Sequence, residues 1–381
     1  MGTRTGYPRG IIPPHMLREI AQRGGPEQRE RALRALATTE RIHAQRQMVG
    51  REMPAAAPLA APGKQRSVYD GGHGASLPGQ LVRSEGEPPT PDVAVNEAYD
   101  GAGATYDLYW EVFERNSVDN RGLPLISTVH YEVDYDNAFW DGRQMVYGDG
   151  DEDRPPAEQL FHRFTIAVDV IGHELTHGVT QYTANLAYAG QSGALNESFS
   201  DVFGSLVKQR LLNQTAATAD WLIGEGLFTS NVHGVALRSL KAPGTAYDDP
   251  VLGKDPQPAH MKDYQNVSYD DGGVHINSGI PNHAFYLIAT ALGGYAWEKA
   301  GSIWYTALTD RLQSNASFQD AARVTFEIAG EMFGAGSAEQ EAVRNGWAGV
   351  GLDVEGAVQN PGCLPTVPRA IRAFLGIGRR Q

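Results

Sequence analysis

The pentad His173-Glu174-Leu175-Thr176-His177, followed by Glu197 in the run Asn196-Glu197-Ser198-Phe199-Ser200-Asp201, constrains this chain more than any other feature. Two histidines four residues apart on a helix share one face, about one turn apart, so both imidazoles can reach a single metal ion. Glu197 adds a carboxylate. Three protein ligands leave a fourth position for water, which distinguishes catalytic from structural zinc. Glu174 points roughly a quarter-turn away and can hold that water without being a ligand. A fold that uses these residues must bring two separate segments to one point. The chemistry implied is metal-assisted peptide hydrolysis.

The flanking sequence supports this against a solvated helix with two ordinary histidines. From Leu160 to Val179 the apolar residues Phe161, Phe164, Val168, Ile171, Leu175 and Val179 recur at three- and four-residue steps, which predicts a helix. Pro155 and Pro156 mark its expected start. Val170 adds a second apolar side, so the helix is expected to be buried on most faces. Buried histidines and a buried glutamate need partners, and a metal site supplies them. Leu195, Phe199, Val202 and Leu206 make an apolar stripe around Glu197 and Asp201. Asp201, one turn beyond Glu197, can accept the outward ring N–H of His173 and fix its tautomer; the alternative for Asp201 is a charge on a helix surface.

The run from His173 to Asp201 closely resembles thermolysin and its neutral metalloprotease relatives, including the nineteen residues between His177 and Glu197. Metzincins would need a glycine and then a third histidine where this chain has Thr180 and Thr183. The resemblance spans about residues 66 to 351 and implies an α+β fold. Its parts are a mixed N-terminal subdomain (61–172) and a mainly helical C-terminal subdomain (173–353), with the zinc helix between them. It implies a zinc endopeptidase with His173, His177 and Glu197 as ligands and Glu174 as general base.

Other motifs recur in the family's order. Asp270-Asp271-Gly272-Gly273-Val274-His275-Ile276-Asn277-Ser278-Gly279 is similar to its second signature. By that match His275 stabilises the oxyanion and Asp270 orients its imidazole. Preorganised donors aimed where charge develops lower the barrier in any acyl transfer. Tyr188 matches a second oxyanion donor, though alone it could equally be a packing tyrosine. Asn137-Ala138-Phe139-Trp140 resembles the edge strand along which substrate lies extended, and adding a strand to a sheet edge fixes a peptide through its main chain. Arg238 matches the arginine that grips the substrate carbonyl just past the cleaved bond. Phe161, Phe164, Val170, Ile223, Leu227 and Leu237 fall where the family lines the pocket for the residue after that bond. Such a pocket selects by buried apolar area, about 25 cal/mol per Å², although each residue taken singly reads equally well as core.

The chain departs from the family in two places. Asp169, Asp220 and Glu225 match a calcium cluster, but Lys208 stands where a central acidic ligand is expected. An ammonium cannot ligate calcium, so the double calcium site is expected to be lost, with at most one weak ion remaining. The first 60 residues resemble the short prosequence of the protealysin subgroup, with Ile11-Ile12-Pro13-Pro14-His15-Met16-Leu17 as the matching element, then a helix over about Pro26 to Val49. Met53 to Gly63 is expected to be an exposed linker that tolerates cleavage. Residues 1–60 carry ten Lys+Arg against five Asp+Glu, net +5, and the remainder 22 against 40, net −18. A basic arm facing an acidic body suits an intramolecular inhibitor. A simply disordered arm is the alternative.

Composition bounds the rest. A chain of 381 residues accommodates two subdomains with flanking segments. No run of eighteen apolar residues exists, so no membrane span is expected. Met1 to Arg18 lacks the continuous apolar stretch of a signal peptide. Cys363 is the only cysteine, so no internal disulfide can form. The acidic balance argues against nucleic acid as a partner. Protein or peptide substrates and a monomeric state are expected. Family resemblance points to secretion without a recognisable signal peptide, and a cytoplasmic precursor is compatible with it. Residues 354–381, with Arg369, Arg372, Arg379 and Arg380 beside Ile371, Phe374 and Leu375, are expected to be a disordered tail, a short basic amphipathic helix being the alternative. Two other readings remain: a zinc-binding relic that acts as a binding protein, and a zinc aminopeptidase, which would need an acidic anchor for a free amine.

Overall fold

The computed structural model describes residues 10–49 and 61–355, with side chains described for 10–41 and 61–355. Most of the expected linker, the basic tail and Cys363 lie outside the described residues. Ten helices and a five-stranded sheet carry the architecture among those described.

The N-terminal arm supplies α1 (Pro14–Arg23) and α2 (Pro26–Val49). A proline opens each helix, where its fixed φ is preorganised and its missing N–H costs nothing. Met16, Leu17 and Ile20 are buried on α1, and Arg31, Ala32, Ala35, Thr38 and Thr39 on α2, so each helix presents one face to the body. The sheet follows, with β1 (Arg66–Asp70), β2 (Gln80–Ser84), β3 (Leu125–Val129), β4 (Ala138–Trp140) and β5 (Met145–Tyr147) in spatial order β2-β1-β3-β5-β4. The inner strands β1, β3 and β5 run parallel. The outer strands β2 and β4 run antiparallel to their neighbours, which leaves β4 as an edge.

Helix α3 (Val93–Phe113) packs on β1 and β3. Asp92 caps it by accepting from the amides of Ala94 and Val95, and it ends where Glu114 turns left-handed, a common C-terminal device. Helix α4 (Val168–Gln181) packs against β4 and α3, and α5 (Gly190–Leu211) lies along α4. The small strands β6 (Leu222–Ile223) and β7 (Arg238–Ser239) pair beyond α5. Another short antiparallel pair, β8 (Asp248–Asp249) with β9 (Gly253–Lys254), follows, and then the helices α6 (Asp270–Asn277), α7 (Gly279–Leu292), α8 (Lys299–Thr306), α9 (Phe318–Phe333) and α10 (Ala338–Gly349). Trp221, Phe285, Trp304 and Trp347 form the aromatic centre of this half.

The helix expected from Leu160 begins only at Val168. The prolines at 155 and 156 open a single 3₁₀ turn, Pro156–Glu158, and Phe164–Ile166 forms another. Between them the chain is pinned in extended form. The buried Asp151 carboxylate accepts from the amides of Leu160 and Phe161 at 2.9–3.0 Å, and Phe161 bridges to Phe228. The apolar period there reflects burial, which a side-chain-to-backbone capture can satisfy without a helix.

Charge holds the arm down. Arg31, 2 % exposed, donates to Asp151 at 2.8 Å and lies 3.7 Å from Asp136. Arg41 pairs with Glu132 at the rim. Rim pairs contribute little, whereas removing one partner of a buried pair typically costs about 3–5 kcal/mol. Arg31→Ala is therefore expected to speed amide hydrogen exchange in α1 and α2 at least tenfold while β1, β3 and α4 keep their protection. Unchanged exchange in the arm would show that other contacts hold it.

Candidate metal centre and active site

Two glycines set the site. A Cβ at Gly204 would meet the carbonyl of Asp169 at 2.4 Å and the amide of His173 at 3.0 Å, and one at Gly172 would lie 3.0 Å from the Cα of Gly204. Only hydrogen at these positions lets the α4 and α5 backbones cross this closely. The crossing brings Glu197 to the histidines. His173 Nε2 and His177 Nε2 lie 3.0 Å apart, and each is 3.5 Å from a Glu197 oxygen.

The outward nitrogens are committed elsewhere. His173 Nδ1 bonds Asp201 at 2.8 Å, and His177 Nδ1 lies 2.8 Å from Asn196 Oδ1 and 3.0 Å from Ser200 Oγ. Burial pushes the His177 imidazole down to about 3, so it is neutral. With the outward nitrogens so committed, the two inward nitrogens face each other beside a carboxylate, a gap that one shared cation would fill. The donor set, the deprotonated state and the outer hydrogen bonds all fit zinc.

Asp201 is the hub behind the ligands. Besides His173 it accepts from Arg238 Nε and Nη2 at 2.8–3.1 Å and from Asn282 Nδ2 at 2.8 Å. Burial works against its charge, but Arg238 and His173 outweigh it and hold the carboxyl far below the usual range. Glu174 accepts from the backbone N–H of Trp140 at 2.9 Å, which ties the α4 carboxylate to the sheet edge.

Opposite the ligands, Tyr188 OH donates to Glu197 and lies 3.2 Å from His275 Nε2. Tyr188 belongs to the turn between α4 and α5. His275 lies on α6. Asp270, Asp271, Gly272 and Gly273 all hold positive φ and kink the first half of α6, ahead of the regular turn that carries His275, a path that favours glycine. Asp270 then accepts from both the amide and Nδ1 of His275, at 3.0 and 2.6 Å. Burial opposes the imidazolium, yet Glu197 and Asp270 raise it to about 9.

The arm lies along the same edge. Ile11 N donates to Ala138 O at 3.0 Å, Ile12 N donates to Asn137 Oδ1 at 2.9 Å, and Asn137 Nδ2 donates to Ile12 O at 3.3 Å. Arg238 Nη1 donates to Ile11 O at 3.2 Å. Phe161, Phe164, Val170, Ile223, Leu227 and Leu237 are all at most 2 % exposed; Leu227 and Leu237 meet over Gly224. Lys208 Nζ lies 2.8 Å from Asp220 and 3.3 Å from both Asp169 and Glu225. It thus occupies the centre of the carboxylate cluster.

Sequence reasoning missed Asn196, Ser200 and Asn282. Asn196 and Ser200 share one face of α5 a turn apart, the same spacing that marked Glu197 and Asp201, so their signal was present. Asn282 had only its position inside the apolar run of α7.

The profile described as thermolysin metallopeptidase, catalytic domain, matches residues 60–181, and that for the alpha-helical domain matches residues 184–352. An extracellular metalloprotease of Pectobacterium carotovorum subsp. carotovorum is 52% identical over 348 residues, 90% of this chain and 96% of that protein. Protease PrtS of Photorhabdus sp. (strain Az29) is 45% identical over 357 residues, 91% and 93% of the two chains. The solved precursor of protealysin, a metalloproteinase from Serratia proteamaculans, matches with a TM-score of 0.81 at 53% identity, covering 91% of this chain and 100% of that one. With two such profiles spanning most of its length and relatives this similar, the chain belongs to the thermolysin family and is a metalloendopeptidase.

Proposed function

We propose that this protein is a zinc endopeptidase that cuts internal peptide bonds before bulky apolar residues and is made as a self-inhibited precursor. The observation that carries the reading is the facing pair of imidazole nitrogens 3.0 Å apart with Glu197 on their third side and Glu174 beside them. Zinc held by His173, His177 and Glu197 would acidify a water molecule and polarise the scissile carbonyl.

The remaining work falls to the chain. Asn137 and Ala138 hold the extended substrate at the β4 edge. Arg238, stiffened by Asp201, donates to the substrate carbonyl beyond the cleaved bond. Glu174 accepts the proton of the attacking water and returns it to the leaving nitrogen. Tyr188 and His275 donate to the oxyanion, and Asp270 keeps the His275 imidazole protonated and aimed. The six apolar residues around Leu237 favour Leu, Phe, Ile or Val next to the cut.

The arm uses the substrate's own contacts: Ile11 meets Arg238 and Ala138, and Ile12 meets Asn137. That geometry supports inhibition by occupation, relieved when the segment before residue 61 is cleaved. Glu174, Tyr188 and His275 are all in place, which argues against a relic without turnover. Action outside the cell agrees with relatives described as extracellular. Among the described residues no helix is long and apolar enough to cross a membrane.

Glu174→Ala, freed of its arm by an unrelated protease, is expected to keep its zinc while turnover of casein falls about 10²–10⁴-fold; near-normal hydrolysis would remove Glu174 from the mechanism. Lys208 already neutralises the cluster where calcium would bind, so the double calcium site is lost. Metal analysis of wild type is expected to find no tightly held calcium pair. Two firmly retained calcium ions per chain would contradict that assignment.

A further inference from the structure

Among the described residues the catalytic cluster has a counterpart on the sheet. The parallel strands β1, β3 and β5 each deliver one residue just past their C-terminal ends: His73, His130 and Asp149. Their ligand atoms all lie within 4.8 Å of one another. His130 Nδ1 is 2.9 Å from each Asp149 oxygen, and His73 Nδ1 is 3.6 Å from Asp149 Oδ2. Corresponding separations at the catalytic centre are 3.0 and 3.5 Å. Ligands bonded to one zinc at about 2.0–2.1 Å lie roughly 3.3 Å from each other. Both clusters therefore have the size of one coordination sphere.

We propose that His73, His130 and Asp149 form a second divalent-metal site, zinc being the ion best matched to two imidazoles and a carboxylate. Its outer layer repeats that of the catalytic centre. His130 Nε2 bonds Asp92 Oδ2 at 2.8 Å, as His173 bonds Asp201, and this fixes the ring and commits its far nitrogen. Asp92 is itself held, since its other oxygen caps α3. His73 and His130 are locked together by an N–H donated from His73 to the His130 carbonyl at 2.9 Å. The crevice beyond the carboxyl ends of parallel strands is a recurrent ligand position. Here it opens to solvent: His73 is exposed and lines a cleft of about 520 Å³ together with Arg34 and Thr38 of α2. An ion can enter with the arm in place.

The catalytic cluster is buried throughout, whereas this one is open to solvent on the His73 side, so the catalytic centre fills first and this site takes the second ion.

The site rests on none of the catalytic assignments. Tag-free full-length protein, stripped with a chelator, is equilibrated with zinc by dialysis and counted by mass spectrometry of the metal. Wild type and Glu174→Ala are expected to take up two zinc ions per chain. His73→Ala and His130→Ala should hold the first ion unchanged and bind the second at least about tenfold more weakly. His73 is exposed, so its variant keeps the fold, and an unaltered thermal melt verifies this. One zinc per wild-type chain, or a second ion retained equally by His73→Ala, overturns the proposal.

Discussion

The close crossing of α4 and α5 at Gly172 and Gly204 is the constraint on which everything else depends. An added methyl at Gly204 would strike the Asp169 carbonyl and the His173 amide, so it would push apart the two helices that carry all three candidate ligands. The same contact sets the second layer, since Asn196, Ser200 and Asp201 reach the histidines from α5 only at this spacing. Close packing transmits small displacements. A shift of a few tenths of an ångström at the crossing would appear directly as a shift of Glu197.

Electrostatics then fills the space that packing leaves. Asp201 gathers His173, Arg238 and Asn282 in a fully buried network, and a buried carboxylate survives only with such partners. Arg238 is thereby joined at one end to the metal side and at the other to the arm through Ile11. The Lys208 cluster repeats the principle: one ammonium meets three carboxylates beside Gly224, where Leu227 and Leu237 of the proposed specificity pocket also meet. The basic arm and acidic body are matched in the same way: Arg31 is buried against Asp151 and Asp136, while Arg34 and Arg41 pair with Asp134 and Glu132 nearer the solvent.

Much of this was legible in the sequence because the motifs carry their geometry with them. His173, Glu174 and His177 need only a helix to share a face, and the helix was marked by its period. The Lys208 substitution could be read because an ammonium among carboxylates has one electrostatic outcome. The segment before α4 was misread for a physical reason: Phe161 and Phe164 are buried at helical spacing, but Asp151 captures the backbone amides of Leu160 and Phe161 from nine and ten residues away. Long-range capture of that kind leaves no local signal. Nor does the meeting of His73, His130 and Asp149, since it follows from the order of three strands rather than from any spacing along the chain.

The central claim is that two imidazoles and Glu197 converge on one ion at the α4–α5 crossing. Crystals of the full chain grown with one equivalent of zinc, measured at the zinc absorption edge, test it most directly. The account predicts one strong anomalous peak about 2.0–2.2 Å from His173 Nε2, His177 Nε2 and a Glu197 oxygen. A strong peak elsewhere, with these three side chains bare, would contradict it.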